Sequence, residues 1–429
     1  MIRYYSTNRQ APEVTFQKAL FQGLAPDGGL YFPTKFPTFS AVELAALHGV
    51  SLPEVGYRVL QKWFGEEIEA EPLRHIATAA QHFPIPLRQV GSYQILELFH
   101  GPTQAFKDVA AQNLSRLMSH FLQQQQQRVT LLVATSGDTG GAIAHGFSGI
   151  DNINVVILYP KGRVSQLQEE QLTRVADNVF PLEVDGVFDD CQAMVKQAFN
   201  DPDLAGLALT SANSISIGRL IPQIIYYAYA YACLGRDDIE FVVPSGNFGN
   251  LTGGLFARAM GFPFSQFIAA CNRNDAAVRY AATGQYTPQP TVATLSNAMD
   301  VGNPSNFVRV LELFHHDWAV FRDVVQAYMV SDETTVATIE AVWREYGYLL
   351  EPHTAVGWRV AAQHRDPSKQ TVIISTASPL KFAAEIEAQT GIAVDNGAAI
   401  AALQCRPVRK WSVGGEYTAV KSFLLQMEK

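Results

Sequence analysis

From Tyr93 onward the chain repeats one pattern: a short apolar run, a turn of small polar residues, then apolar positions at helical spacing. YQILEL leads to a helix from about Asp108 to Leu122, VTLLVAT to one over Thr139–Phe147, and INVVILYP to one over Ser165–Ala176. VFPLEV is followed by a helix over Asp189–Phe199 and then by a long helix from about Ser214 to Leu234. FVVP leads to a helix over Gly249–Met260, QFIAAC forms a further strand, and TVIIST leads to a helix over Pro379–Ala388. This alternation predicts an α/β fold with parallel sheets and helices on both faces, in which ligands collect where strand ends meet helix N-termini. Residues 1–92 break the pattern. They carry short helical stretches at Ala41–Leu47 and Ser51–Trp63 and a turn at Pro26-Asp27-Gly28-Gly29, and read as a separate N-terminal domain.

Composition narrows the function more than the fold. The chain has 429 residues, 48% apolar and 17% charged, enough to bury extensive cores and to divide into two or three domains. A net charge of -8 argues against a nucleic-acid surface, while leaving room for a local positive pocket that takes a small anion. Cys191, Cys233, Cys271 and Cys405 are far apart, without metal-like spacing, and read as reduced structural thiols. The first residues lack a secretory apolar core, and the run Ile221–Leu234 is too short to span a bilayer, so a cytoplasmic protein that binds no membrane is expected. His100 and His353 sit in no metal motif; no catalytic metal is expected.

Four turns hold the candidate chemistry. In ELFHGPTQAFKD, Lys107 follows a Gly-Pro-Thr turn at a helix start, where an amine can form a Schiff base with an aldehyde. An arbitrary lysine is solvated, and Asp108 beside it would oppose loss of its proton, so this turn alone carries little. Ser245-Gly246-Asn247-Phe248-Gly249-Asn250 follows a buried strand and opens a helix, an arrangement whose backbone N–H groups can cradle a phosphate. It is neither a Walker A loop nor a dinucleotide fingerprint, and a ligand-free βα turn is the plain alternative. Thr135-Ser136-Gly137-Asp138-Thr139 offers donors for an amino-acid carboxylate, or simply a helix cap. In Ser211-Ala212-Asn213-Ser214-Ile215-Ser216-Ile217-Gly218-Arg219, Arg219 can hold a second phosphate, or lie on the surface.

Taken together, HGPTQAFKD, TSGDTGG, SANSISIGR, PSGNFGN, LSNAMDVGNPSN and STASPLKF resemble the threonine synthase family, pyridoxal-phosphate enzymes of the tryptophan-synthase-β fold type. The likeness runs from GLAPDGGLYFP to about Phe382. It implies two open, mostly parallel sheets with flanking helices beside an N-terminal, mainly helical domain. The division expected is 1–92, a large cofactor-binding domain of 93–127 and 213–429, and a small mobile domain of 128–212; the segment after about Gly391 joins the large domain by default. The resemblance also implies that Lys107 carries pyridoxal 5'-phosphate, that Ser245, Gly246, Asn247, Phe248, Gly249 and Asn250 hold its phosphate, and that Thr376 faces its ring nitrogen. Asp138 would lie beside the cofactor's phenolate. Thr135, Ser136, Gly137 and Thr139 would grip the substrate carboxylate, and Ser211, Asn213, Ser214, Arg219 and Lys161 its phosphate.

Two positions depart from the wider pattern, the second of them in a way that resembles this family's own subgroup. Ser378 stands where a histidine is expected, and Asp138 replaces the asparagine of many relatives of the fold, putting a carboxylate where it is repulsive unless protonated or turned aside. The implied reaction is a β,γ-replacement converting O-phospho-L-homoserine and water to L-threonine and phosphate, run by a monomer or homodimer. A lyase or dehydratase that releases a 2-oxo acid, and a non-enzymatic sensor of amino acids or small anions, are the rival readings.

Overall fold

The computed structural model describes residues 1–427. Three sheets organise the described residues. The larger has six strands in the order Val325–Met329, Gln266–Cys271, Ile239–Pro244, Gln370–Ser375, Tyr93–Glu97 and Leu87–Val90, all parallel except the last, which returns antiparallel along Tyr93–Glu97. A second, five-stranded sheet is parallel throughout and runs Trp411–Val413, Val179–Val184, Ile153–Pro160, Val129–Ala134, Leu209–Thr210. The third is a small antiparallel ribbon of Tyr4–Ser6 with Tyr31–Pro33.

Strand Ile239–Pro244 shows why the pattern was legible: every residue in it is buried, as expected of a central parallel strand covered on both faces. The helix Lys107–Gln125 is likewise buried along most of its length, because Val109, Leu114, Leu117 and Phe121 join the core shared with the N-terminal helices. Those helices, Phe16–Gln22, Ala41–Ala45, Leu52–Phe64 and Ala70–Ala80, start at threonine or serine caps in two cases where the cap hydroxyl accepts a backbone N–H, Thr15 and Ser40.

Three expectations need correction. The helix expected over Ser214–Leu234 is broken into Ile217–Leu220, a 3-10 turn at Ile221–Gln223, and Ile224–Leu234, since Pro222 lacks an N–H and cannot continue an α-helix from its preceding turn. The helix expected from Pro379 begins as a 3-10 turn over Pro379–Phe382 and becomes α-helical only at Ala383–Thr390. The chain after Gly391 does not simply finish the large sheet: Trp411–Val413 pairs in parallel with Val179–Val184, and Val420 and Leu424 of the last helix, Tyr417–Gln426, pack into the core of the five-stranded sheet.

Candidate active site

The turn before Lys107 is stitched to the turn after strand Gln370–Ser375. Phe106 N–H donates to the Thr376 carbonyl at 2.8 Å, Ser378 N–H to the Gln104 carbonyl at 3.0 Å, and Ala105 bridges Ala377. Lys107, the first helical residue, and Thr376 therefore emerge at the same edge of the large sheet. Asp108 does not oppose Lys107. It is fully buried and turned back on the Gly-Pro-Thr turn, accepting the Thr103 N–H at 2.8 Å and its hydroxyl at 2.5 Å. Gly101 is needed here, because a Cβ on it would lie 2.5 Å from the Asp108 carboxylate.

The Lys107 ammonium meets the other sheet instead, with its Nζ 3.1 Å from Asp138 Oδ2. Asp138 begins the helix Asp138–Phe147 after strand Val129–Ala134. Its second oxygen lies 2.8 Å from Lys381 Nζ and accepts from Gln168 Nε2 at 3.0 Å. Burial alone would raise the pKa of this carboxyl, but Lys381 and Lys107, aided by the Lys381 and Gln168 hydrogen bonds, overcome burial and hold it well below the ordinary carboxylate range. Asp138 is thus held as a carboxylate by two flanking cations. Neither Lys381 nor Gln168 was singled out from the sequence, though Lys381 lies within the quoted STASPLKF.

The same turn gives its residues different tasks. Thr135 is buried and its hydroxyl accepts from Gly137 and Gly140 N–H at 3.0 and 2.8 Å, tying the turn to the helix start, while the N-cap position itself is Gly137, which has no side chain to cap with. Gly137 has φ 135°, open only to glycine without strain, and a Cβ on it would strike the Gln168 amide at 2.6 Å. Ser136 is exposed and Thr139 half-buried.

The glycine-bearing turn after Ile239–Pro244 has the shape of an anion cup. Phe248 takes left-handed φ 61° just before the helix Gly249–Ala259, and Gly246 lies so close to its neighbour that a Cβ would sit 2.4 Å from Met299 Cα. Ser245 donates its hydroxyl to the Val243 carbonyl at 2.8 Å. Asn247 braces the cup from the side, donating to Ser214 Oγ at 2.7 Å and accepting Ser305 N–H at 2.6 Å. Asn250 is turned toward the helix Ile224–Leu234, where its oxygen accepts from Tyr226 and Tyr227 at 2.9 and 2.6 Å while its Nδ2 stays buried without a protein partner.

Arg219 is buried rather than superficial, and burial pushes its guanidinium down to about 10. It donates to the Ala212 carbonyl at 3.1 Å, while its Nε and the hydroxyls of Ser211 and Ser216 are buried and unpartnered. Ser214 is occupied by Asn247, and half-buried Asn213 precedes it. Lys161 is exposed, at the end of strand Ile153–Pro160, outside the buried cluster.

Thr376 is buried with its hydroxyl 3.5 Å from Glu351, which also accepts from His353 and Thr354. His353 is an ordinary bonded histidine: Nδ1 faces Glu351 at 2.5 Å and Nε2 accepts the Ala298 N–H at 3.0 Å, bracing the segment that Gly246 packs against. Ser378, at the position expected to hold histidine, caps the 3-10 turn, its hydroxyl accepting the Leu380 N–H at 3.3 Å. Among the described residues no three His, Cys, Asp or Glu side chains gather as metal ligands.

An amine between two sheets, a glycine-cut anion cup and buried polar atoms without partners fit an aldehyde cofactor with a phosphate tail. The family described as pyridoxal-phosphate dependent enzyme matches residues 85–377, which defines the class. Residues 3–81 match the threonine synthase N terminus and residues 354–424 its C-terminal part, including the tail that completes the five-stranded sheet. Threonine synthase of Escherichia coli (strain K12) is 40% identical over 429 residues, covering 99% of each chain. A crystal structure of PLP-bound threonine synthase from Brucella melitensis superposes with a TM-score of 0.94 at 38% identity, covering 99% of both chains. That of yeast threonine synthase gives 0.90 at 31%, covering 99% of this chain and 98% of that one. The chain belongs to the threonine synthase family.

Proposed function

We propose that this chain converts O-phospho-L-homoserine and water to L-threonine and inorganic phosphate, with pyridoxal 5'-phosphate tied to Lys107. The observation that carries this reading is the Lys107 amine, 14% exposed and 3.1 Å from Asp138, where the strand ends of both sheets meet. Bound there, the cofactor stabilises carbanions formed on the substrate carbons. Gly246 and Gly249 would hold its phosphate through backbone N–H groups and the positive end of the helix Gly249–Ala259, whereas Ser245, expected to share this task, has its N–H taken by the Ala270 carbonyl at 2.9 Å and shapes the turn instead. Asn247 braces that cup, Asn250 keeps its buried Nδ2 unpartnered, and Thr376, whose hydroxyl lies 3.5 Å from Glu351, is the neutral group that would serve the ring nitrogen.

Lys107, as a free amine, takes one proton from Cα and one from Cβ; phosphate leaves from Cγ, a proton is delivered there, and water adds at Cβ as a proton returns to Cα. Ser136, Thr139 and the N–H groups at the start of Asp138–Phe147 take the substrate carboxylate. Arg219, with Ser211 and Ser214, takes the substrate phosphate; its Nε is buried without a partner. Closure of the five-stranded sheet over Lys107 keeps stray water from the early steps. We place the reaction in the cytoplasm, where free thiols such as Cys191 and Cys271 stay reduced.

A product assay decides the reading. Stoichiometric threonine and phosphate from phosphohomoserine support it, whereas 2-oxobutanoate and ammonia as the main products assign the chain to elimination instead.

A further inference from the structure

Lys381 has no role in the scheme above, yet its side chain has no exposed surface and its ammonium is met by three oxygens, one in an ion pair and two in hydrogen bonds. It lies 2.8 Å from Asp138 Oδ1 and donates to the Thr103 carbonyl at 2.7 Å and to Gln171 Oε1 at 3.1 Å. Thr103 belongs to the turn that delivers Lys107, and Lys381 to the turn that follows strand Gln370–Ser375. Asp138 and Gln171 lie on helices of the five-stranded sheet, Asp138–Phe147 and Gln166–Thr173. One buried ammonium therefore joins the two sheets at the place where the reactive amine enters.

The charge pattern around it is asymmetric. Asp138 faces Lys107, Lys381 and the neutral Gln168 amide. Lys381 also acts on Asp108, which burial raises and Thr103 and Lys381 partly draw back. On the helix that starts with Asp138, His145 is pushed down to about 4, chiefly by burial, then by Arg406, with a smaller contribution from Lys381. One carboxylate thus serves two lysines. If Lys107 alone faced Asp138, each loss of the Lys107 charge would leave a buried anion without a partner, and that anion would take up the proton itself.

We propose that Lys381 is a positioning residue for the reaction: it keeps Asp138 an anion whatever the charge on Lys107, and it holds the start of Asp138–Phe147 closed over that amine. The inference rests on the reading of Lys107 as the cofactor-bearing lysine. Its consequence is that a proton taken from Cα stays on Lys107 for delivery to the next carbon instead of moving to Asp138.

Lys381→Met removes the charge at similar volume. In the cofactor-loaded variant the protonation midpoint of the cofactor's visible band should rise by about one pH unit or more, since removing a nearby cation favours proton uptake. Turnover should fall by roughly 100-fold, as expected when a reacting group is misplaced, and the cofactor-free variant should exchange amide hydrogens faster over residues 138–147. Lys381→Met/Asp138→Asn removes one cation and one anion, so its midpoint should return toward that of the parent although turnover stays low. A single-variant midpoint and exchange pattern equal to the parent's overturn the proposal, as does a raised midpoint that the double variant leaves raised. If Lys381→Met does not fold, the double variant carries the test: a midpoint displaced from the parent's by about one pH unit or more then overturns the proposal. The parent run alongside separates the two readings: a parent that takes up no cofactor rejects the Lys107 assignment, while a parent that takes it up beside an unaltered variant rejects only the role of Lys381.

Discussion

Replacing Arg219 with methionine should move stability and substrate binding in opposite directions. Burial pushes this guanidinium down from its ordinary value to about 10, and no carboxylate among the described residues compensates it. At ~1.4 kcal/mol per pH unit, roughly 3 kcal/mol of folding free energy is spent on keeping it charged. The sign follows from the depressed folded pKa: the group stays charged in both states at neutral pH, so the penalty is fully present there and is relieved only as pH rises above about 10. Methionine removes the penalty and loses one hydrogen bond, to the Ala212 carbonyl, worth about 1 kcal/mol. The ligand-free variant should therefore be more stable than the parent by roughly 2 kcal/mol in urea unfolding at neutral pH.

Substrate binding should suffer. Loss of a buried charge that pairs with phosphate costs about 2–5 kcal/mol, or roughly 30-fold or more in affinity, read as a rise in KM for phosphohomoserine. Inorganic phosphate should raise the melting temperature of the parent and leave that of the variant unmoved. A variant that loses stability without ligand and keeps its KM would show that Arg219 is a strut for the Ser211–Ser216 turn and no part of a phosphate site.

Lys107→Ala should abolish turnover, checked by phosphate release, while the chain stays folded because Asp138 retains Lys381 at 2.8 Å. Gly246→Ala should weaken cofactor uptake by roughly tenfold or more, measured by titration, because a Cβ 2.4 Å from Met299 Cα forces the cup to shift at a cost of about 1–3 kcal/mol. His145, held near 4 mainly by burial, is neutral in the fold and must charge on unfolding below about pH 6.5. Stability should accordingly fall between about pH 6.5 and 4, by roughly 3 kcal/mol in all for this group, and His145→Gln should flatten that part of the profile in melting scans.

The elements nearest the chemistry were legible because their signals are local. Buried parallel strands such as Ile239–Pro244 appear as unbroken apolar runs, and the turns after them announce themselves with glycine, serine and threonine. Lys107 and the Ser245 turn could be named on those grounds. Lys381 could not, since a lone lysine in a short turn reads as solvated and its burial depends on Thr103 and Gln171, which lie far away in sequence. The electrostatics of Asp138 were hidden for the same reason: the sequence shows the carboxylate but not the two cations that face it. Strand Trp411–Val413 is short and half-polar, and its place beside Val179–Val184 is set by a pairing that no periodicity records.

The central claim is that one particular amine carries the cofactor. The most direct measurement is to load the protein with pyridoxal 5'-phosphate, reduce it with borohydride, digest it and locate the modified peptide by mass spectrometry. A single pyridoxyl group on Lys107 is the predicted result. A group on Lys381, which shares the same carboxylate, or no stoichiometric modification at all, would contradict it.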